Sequence, residues 1–225
     1  MAFITDNYQR ISTRLKAAHV ELVAVSKIRT EAEILQAYNE GIKDFGENYV
    51  QEIVSKVEAL PKDIRWHFIG HLQSNKLKFI APFIYMIQGV DSFKLLKEIN
   101  KEGEKNNRVI NCLLQIHIAG EETKFGLDED ELDDIIGNAE LKSLRNIKIC
   151  GLMGMASFSD DEETVINEFS YLKSLFNSYS HLSTNNCQLT TLSMGMSGDY
   201  ELAIKEGSNM VRIGSLLFGN RPVKI

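Results

Sequence analysis

The sequence predicts a (β/α)8 TIM barrel, and three observations carry that prediction. Short apolar runs rich in Val, Ile and Leu alternate with amphipathic helical patterns along the chain. Eight strand–helix pairs fit into 225 residues, the size of one α/β barrel. Several strand runs, such as Leu22-Val23-Ala24-Val25, show no polar alternation, as strands buried on both faces of a parallel sheet do. An open doubly wound sheet uses the same pattern, because periodicity does not report closure. No Pro/Gly/Ser-rich linker, repeat or low-complexity tract divides the chain, so residues 1–225 are expected to form a single domain.

Each element has its own signal. A first helix is expected over roughly residues 6–18 and the first strand over 20–26. Thr30 and Glu33 have capping-box spacing, and Ile34, Leu35 and Tyr38 supply the following helix with an apolar stripe. Residues 43–46 form a short second strand, and Val50, Ile53, Val54 and Val57 then recur at helical spacing. The third strand covers 65–69, a short helical stretch 73–79, and the fourth strand 84–90. Asp91 is expected to cap a helix carrying Phe93, Leu96 and Ile99. The fifth strand spans 109–118, and the helix over 128–139 starts with an acidic turn, as the macrodipole favours. A sixth strand over 147–153 precedes a long helix presenting Val165, Phe169, Leu172, Phe176 and Tyr179 on one face. Strands over 188–193 and 210–213 complete the set, with a helix over 199–205 between them and a last short one near Ser215.

Composition narrows the function classes. A net charge of -6 favours neither nucleic acid nor an anionic membrane as partner, although an acidic average can still contain a positive pocket. Cys112, Cys150 and Cys187 are far apart, with no CxxC or Cys/His cluster to suggest a metal. The N-terminus has no basic region followed by an apolar core, and the apolar stretch 79–87 is too short to span a membrane and contains Pro82. The expected location is the cytoplasm.

Barrel chemistry sits at the C-terminal ends of the strands, and phosphate often binds after the last two. Lys27 ends the first strand at the rim of an apolar interior, where desolvation favours a neutral, nucleophilic amine. A strand-end lysine that snorkels to water is the alternative. After the seventh strand, the segment 193–198 offers amides, hydroxyls and a helix start, an anion nest, and Gly214-Ser215 offers another after the eighth. Arg212 lies within an apolar strand, facing a ligand or paired with a structural carboxylate such as Asp199 or Glu201. An amine, a phosphate nest and an arginine around one pocket suit pyridoxal 5′-phosphate, whose ring nitrogen an arginine would keep unprotonated.

The segments VAVSK, FGENYVQE, WHFIGHLQSNK, GEETKFGL, GLMGMA, LSMGMSGDYELAI and VRIGSLLFG resemble the pyridoxal phosphate homeostasis protein family, nearly from end to end. That family's barrel is similar to the N-terminal domain of alanine racemase. The resemblance implies a Schiff base on Lys27, phosphate held by Ser193, Gly214 and Ser215, Arg212 near the pyridine nitrogen, and Asn48 lining the pocket. His117 stands where the family usually has asparagine. His67, His71 and Lys76 follow the third strand or lie on it, as ligand contacts or as packed and solvated residues. The chain ends shortly after the eighth strand, leaving no room for the second domain that supplies the racemases' catalytic tyrosine. The resemblance therefore implies a non-catalytic carrier of pyridoxal phosphate serving apo-enzyme acceptors, with no catalytic residue; a monomer without a metal site is expected. The alternatives are a pyridoxal-phosphate-dependent amino-acid racemase or lyase, and a Schiff-base aldolase acting on a sugar phosphate.

Overall fold

Strands buried on both faces need a layer on each side, and a closed ring of them meets that need with one lumen and one outer shell. The computed structural model, which describes residues 3–120 and 125–220, takes this form. The strands are β1 (Glu21–Val25), β2 (Asp44–Glu47), β3 (Arg65–Phe68), β4 (Met86–Val90), β5 (Ile110–Ile116), β6 (Ile147–Gly154), β7 (Ser183–Thr184), β8 (Cys187–Ser193) and β9 (Met210–Ile213). All neighbouring barrel strands run parallel, and β6–β8 and β1–β9 pairing closes the ring. Closure excludes the open sheet. The two-residue β7, absent from the sequence reading, pairs antiparallel with β8 and lies outside the ring.

The helices are α1 (Thr5–Ala17), α2 (Glu31–Asn39), α3 (Val50–Ala59), α4 (Ser74–Leu77), α5 (Phe93–Lys105), α6 (Glu129–Gly137), α7 (Glu162–Ser180), α8 (Tyr200–Lys205) and α9 (Ser215–Phe218). The capping box ahead of α2 forms as the spacing predicts: Thr30 N–H donates to Glu33 at 2.8 Å and Glu33 N–H donates back to Thr30 Oγ1 at 3.3 Å. Asp91 does not cap α5. Ser92 does, accepting from Leu95 N–H at 3.2 Å, while Asp91 pairs with His71 at 3.1 Å. The expected helix over 128–139 ends at Gly137, and a 3-10 turn over Ala139–Ser143 follows.

Period-two alternation sorts the strands into two layers. Outward residues such as Ala24, Phe45, Phe68, Leu114, Leu152 and Val211 pack under the helices in one continuous core. Inward residues Val23, Met86, Leu113, Cys150, Met153 and Met210 form a separate lumen cluster. The same alternation turns His67, Gln88, Ser193 and Arg212 inward, and each of them is buried. This polar half of the lumen is the scaffold of the site.

Candidate functional site

A cavity of about 240 Å³ opens at the C-terminal ends of β1 and β9, lined among others by Lys27, Arg29, Ser197, Arg212, Gly214 and Ser215. Strand β1 brings Lys27 there one residue after Ser26, whose N–H donates to Gly46 O at 3.0 Å beyond the strand end. The loops after β8 and β9 are tied together, since Gly214 N–H donates to Ser197 Oγ at 3.2 Å. Gly195 starts the first loop at φ +98, in the left-handed region that side chains disfavour. A Cβ on Gly214 would sit 3.3 Å from both Cβ and O of Val25, so glycine leaves the cavity floor open. A larger surface groove of about 880 Å³ shares the Ser197–Gly198 wall, but its charges are partly engaged, Arg14 with Glu201 at 2.9 Å.

Arg212 is 3% exposed, and its guanidinium is held by uncharged acceptors. Nη1 donates to Ser193 O at 2.8 Å and Ser193 Oγ at 2.7 Å, and Nη2 donates to Gly154 O at 2.9 Å. Neither carboxylate considered from the sequence pairs with it: Glu201 pairs with Arg14, and Asp199 accepts from Met196 N–H at 2.5 Å. Burial pushes the guanidinium pKa down to about 10, against the raising effect of the Asp199 charge. Arg212 therefore still carries its charge at neutral pH.

Behind Arg212 a hydrogen-bonded chain crosses the lumen. Ser193 Oγ lies 2.7 Å from Gln88 Oε1, Gln88 Nε2 lies 3.0 Å from His67 Nδ1, and His67 Nε2 lies 3.0 Å from Asp44 Oδ1. Asp44 also takes Arg65 Nε at 2.7 Å. A carboxylate only accepts, so His67 donates through Nε2 and accepts at Nδ1 from Gln88, whose carbonyl then accepts from Ser193. Every donor thus points from Arg212 toward Asp44. Burial raises the Asp44 carboxyl pKa, but hydrogen bonds from His67 and Arg65 outweigh it and hold the group below its ordinary range.

The structure brings Lys27, Arg212, Gly214 and Ser215 to one cavity. Ser193 is fully buried below the cavity wall as a support of Arg212, while Ser197, four residues on, reaches the rim. Asn48 lines a neighbouring cavity of about 340 Å³ with His71 and Lys76, and its buried Oδ1 has no hydrogen-bond partner among the described residues. His67 is a fully buried relay member, and His71 stacks on Phe125 at 4.3 Å. His117 is partly buried just past β5, its N–H donating to Leu127 O at 2.9 Å. In GEETKFGL, residues 121–124 lie outside the described residues. Arg29 was not singled out from the sequence. It is buried against the last turn, 3.5 Å from Glu33 and donating to Gly219 O, in a position that reads as an ordinary helix approach.

A closed parallel barrel with a lysine, two tied glycine-serine loops and a buried arginine at one rim has the architecture of the alanine racemase N-terminal type. The chain belongs to that family, whose model, described as "Alanine racemase, N-terminal domain", matches residues 1–222. It is 41% identical over 207 residues to the pyridoxal phosphate homeostasis protein of Synechocystis, covering 90% of this chain and 92% of the relative. PipY of Synechococcus elongatus, solved with pyridoxal phosphate bound, superposes with a TM-score of 0.83 at 31% identity, covering 95% of this chain and all of PipY. Alanine racemase from Bartonella henselae shares the fold alone, at 17% identity and a TM-score of 0.69, over 97% of this chain and 60% of the racemase.

Proposed function

We propose that this protein binds pyridoxal 5′-phosphate reversibly through Lys27 and serves pyridoxal phosphate homeostasis as a carrier rather than as an enzyme. One observation supports this best: a single cavity joins an amine, a two-loop cradle of amides and hydroxyls, and a buried cation. The donor set fits the cofactor. Ser197, Gly214 and Ser215 suit a phosphate, Gly214 leaves it room, and Lys27 and Arg212 suit an aldehyde and a ring nitrogen. When bound, the cofactor would supply an aldehyde as the electrophile, and Lys27 would hold it through its side-chain amine. Arg212 can only donate, and its uncharged partners leave it a cation, so it would hold a ring nitrogen facing it in the unprotonated form.

Among the described residues lining the cavity there is no carboxylate, histidine, tyrosine or cysteine to serve as a second acid–base group opposite Lys27. This supports a carrier. The protein so proposed is a monomeric single domain over residues 1–225, acting in the cytoplasm on pyridoxal-phosphate-dependent apo-enzymes as acceptors. Titrating the purified protein with pyridoxal phosphate tests it: a visible absorbance band is expected that borohydride traps and Lys27→Ala abolishes. Absence of the band sinks the proposal. Retention of the cofactor in the presence of a pyridoxal-phosphate-dependent apo-enzyme refutes the carrier role, and sustained amino-acid turnover that vanishes in Lys27→Ala establishes an enzyme instead. Light scattering checks the monomer.

A further inference from the structure

Lys27 sits in a backbone turn that its own sequence disfavours. Arg29 N–H donates to Ser26 O at 3.0 Å, which makes Lys27 and Ile28 the central residues of the turn. Ile28 has φ +63, the left-handed region, where a β-branched residue is an outlier. Ile28 is 45% exposed, so little packing holds it there.

A buried charge cluster in the layer between β2 and α3 grips the residues on both sides of Lys27. Ser26 Oγ donates to Glu47 Oε1 at 2.5 Å, and Ile28 N–H donates to Glu52 Oε1. Lys56 Nζ uses its three donors on Ser26 O at 2.9 Å, Glu47 Oε1 at 2.7 Å and Glu52 Oε1 at 2.8 Å. Lys56 is 4% exposed and Glu47 fully buried, so the cluster is not a solvated surface pair. The chemistry proposed for the cavity uses none of these groups.

We infer that Glu52 and Lys56, with Glu47, are positioning residues that lock Ile28 in the left-handed turn and thereby aim Lys27 into the cavity. The functional half of this inference rests on the reading of Lys27 as the cofactor-bearing amine. The conformational half does not. Without the acceptor on Glu52, residue 28 relaxes to negative φ and Lys27 leaves its bearing. The turn then has to be restored whenever ligand binds.

Glu52→Ala is the mildest test, since it leaves the buried Lys56–Glu47 pair in place. NMR backbone shifts of the cofactor-free protein report φ at residue 28, and absorbance titration reports affinity for pyridoxal phosphate. Wild type should show positive φ, and Glu52→Ala should lose it together with about tenfold in affinity, the size set by one disfavoured backbone conformation. Ile28→Gly, which adopts positive φ freely, should bind within about twofold of wild type. The double variant Glu52→Ala/Ile28→Gly should recover most of the lost affinity without restoring any contact to Glu52, a rescue that a merely structural cluster does not allow. Positive φ retained in Glu52→Ala overturns the inference, as does lost φ with unchanged affinity, or no rescue. A wild type with positive φ that takes up no pyridoxal phosphate overturns the proposed function instead, and loss of φ in Glu52→Ala then still establishes the clamp.

Discussion

Replacing Gln88 with leucine removes, at nearly constant volume, both hydrogen bonds that join the two halves of the lumen relay. Its carbonyl accepts from Ser193 Oγ at 2.7 Å and its amide donates to His67 Nδ1 at 3.0 Å. His67 and Ser193 are both fully buried, so neither can turn to water. Orphaning a buried polar group costs about 1–3 kcal/mol. Two such groups, less the gain from burying an apolar side chain, give a loss of about 2–4 kcal/mol. For a chain of this size each kcal/mol lowers Tm by about 2–4 °C, so a drop of roughly 5–15 °C is expected. Urea unfolding at constant m measures the free energy, and a double-mutant cycle with His67→Phe measures the coupling. If the relay acts as a unit, the double variant should be less destabilised than the sum of the singles by about 1 kcal/mol or more. A Gln88→Leu loss under about 0.5 kcal/mol, the range of ordinary surface substitutions, would refute the relay, and so would strict additivity with His67→Phe.

Further expectations follow from the same structure. The Asp44 carboxyl is held below its ordinary value of 3.8, so its contribution to stability is present above that pH and lost as pH falls through the lowered value. Acid unfolding monitored by circular dichroism should therefore be less steep below about pH 4 in Asp44→Asn than in wild type. Burial pushes the Glu47 carboxyl up to about 7, outweighing the Lys56 charge, so its contribution is full below 4.5 and is lost as pH rises toward 7. Glu47→Gln should remove that part of the stability profile in urea unfolding. Gly195→Ala should cost more than about 1 kcal/mol, because φ is +98 and the new Cβ would meet Ala203 Cβ at 2.6 Å. The thiols of Cys112, Cys150 and Cys187 are buried and raised in pKa by that burial, so native protein should react slowly with a thiol reagent and unfolded protein rapidly at all three.

Local chemistry was legible at several points where the partner lies within a few residues. The Thr30–Glu33 capping box and the bounds of β9 at Met210–Ile213 follow from spacing alone. Asp91 was a reasonable cap for α5, but two adjacent residues can both serve, and the position of His71 across the fold engaged Asp91 and left Ser92 to the helix. Arg212 was singled out correctly as a charge within an apolar strand, yet its partners came from β6 and β8, not from the nearby carboxylates. Ser197 lies in the 193–198 segment whose hydroxyls and amides marked it as an anion nest, whereas Arg29 sits on the cavity wall through the path of a loop, which no residue pattern encodes.

The eight barrel strands, the two-layer alternation and the presence of a lysine and glycine-serine turns at strand ends were determined by the sequence by itself. They depend on periodicity and residue type, which are local properties of the chain. Closure of the ring was decided only by the tertiary structure, through pairing of β1 with β9 and of β6 with β8. Closure in turn placed Ser193 inside the lumen, Ser197 at the rim and Glu47 beneath the Lys27 turn. These are relations between residues far apart in sequence, set by how strands register and loops return, and only the folded chain brings them within hydrogen-bonding distance.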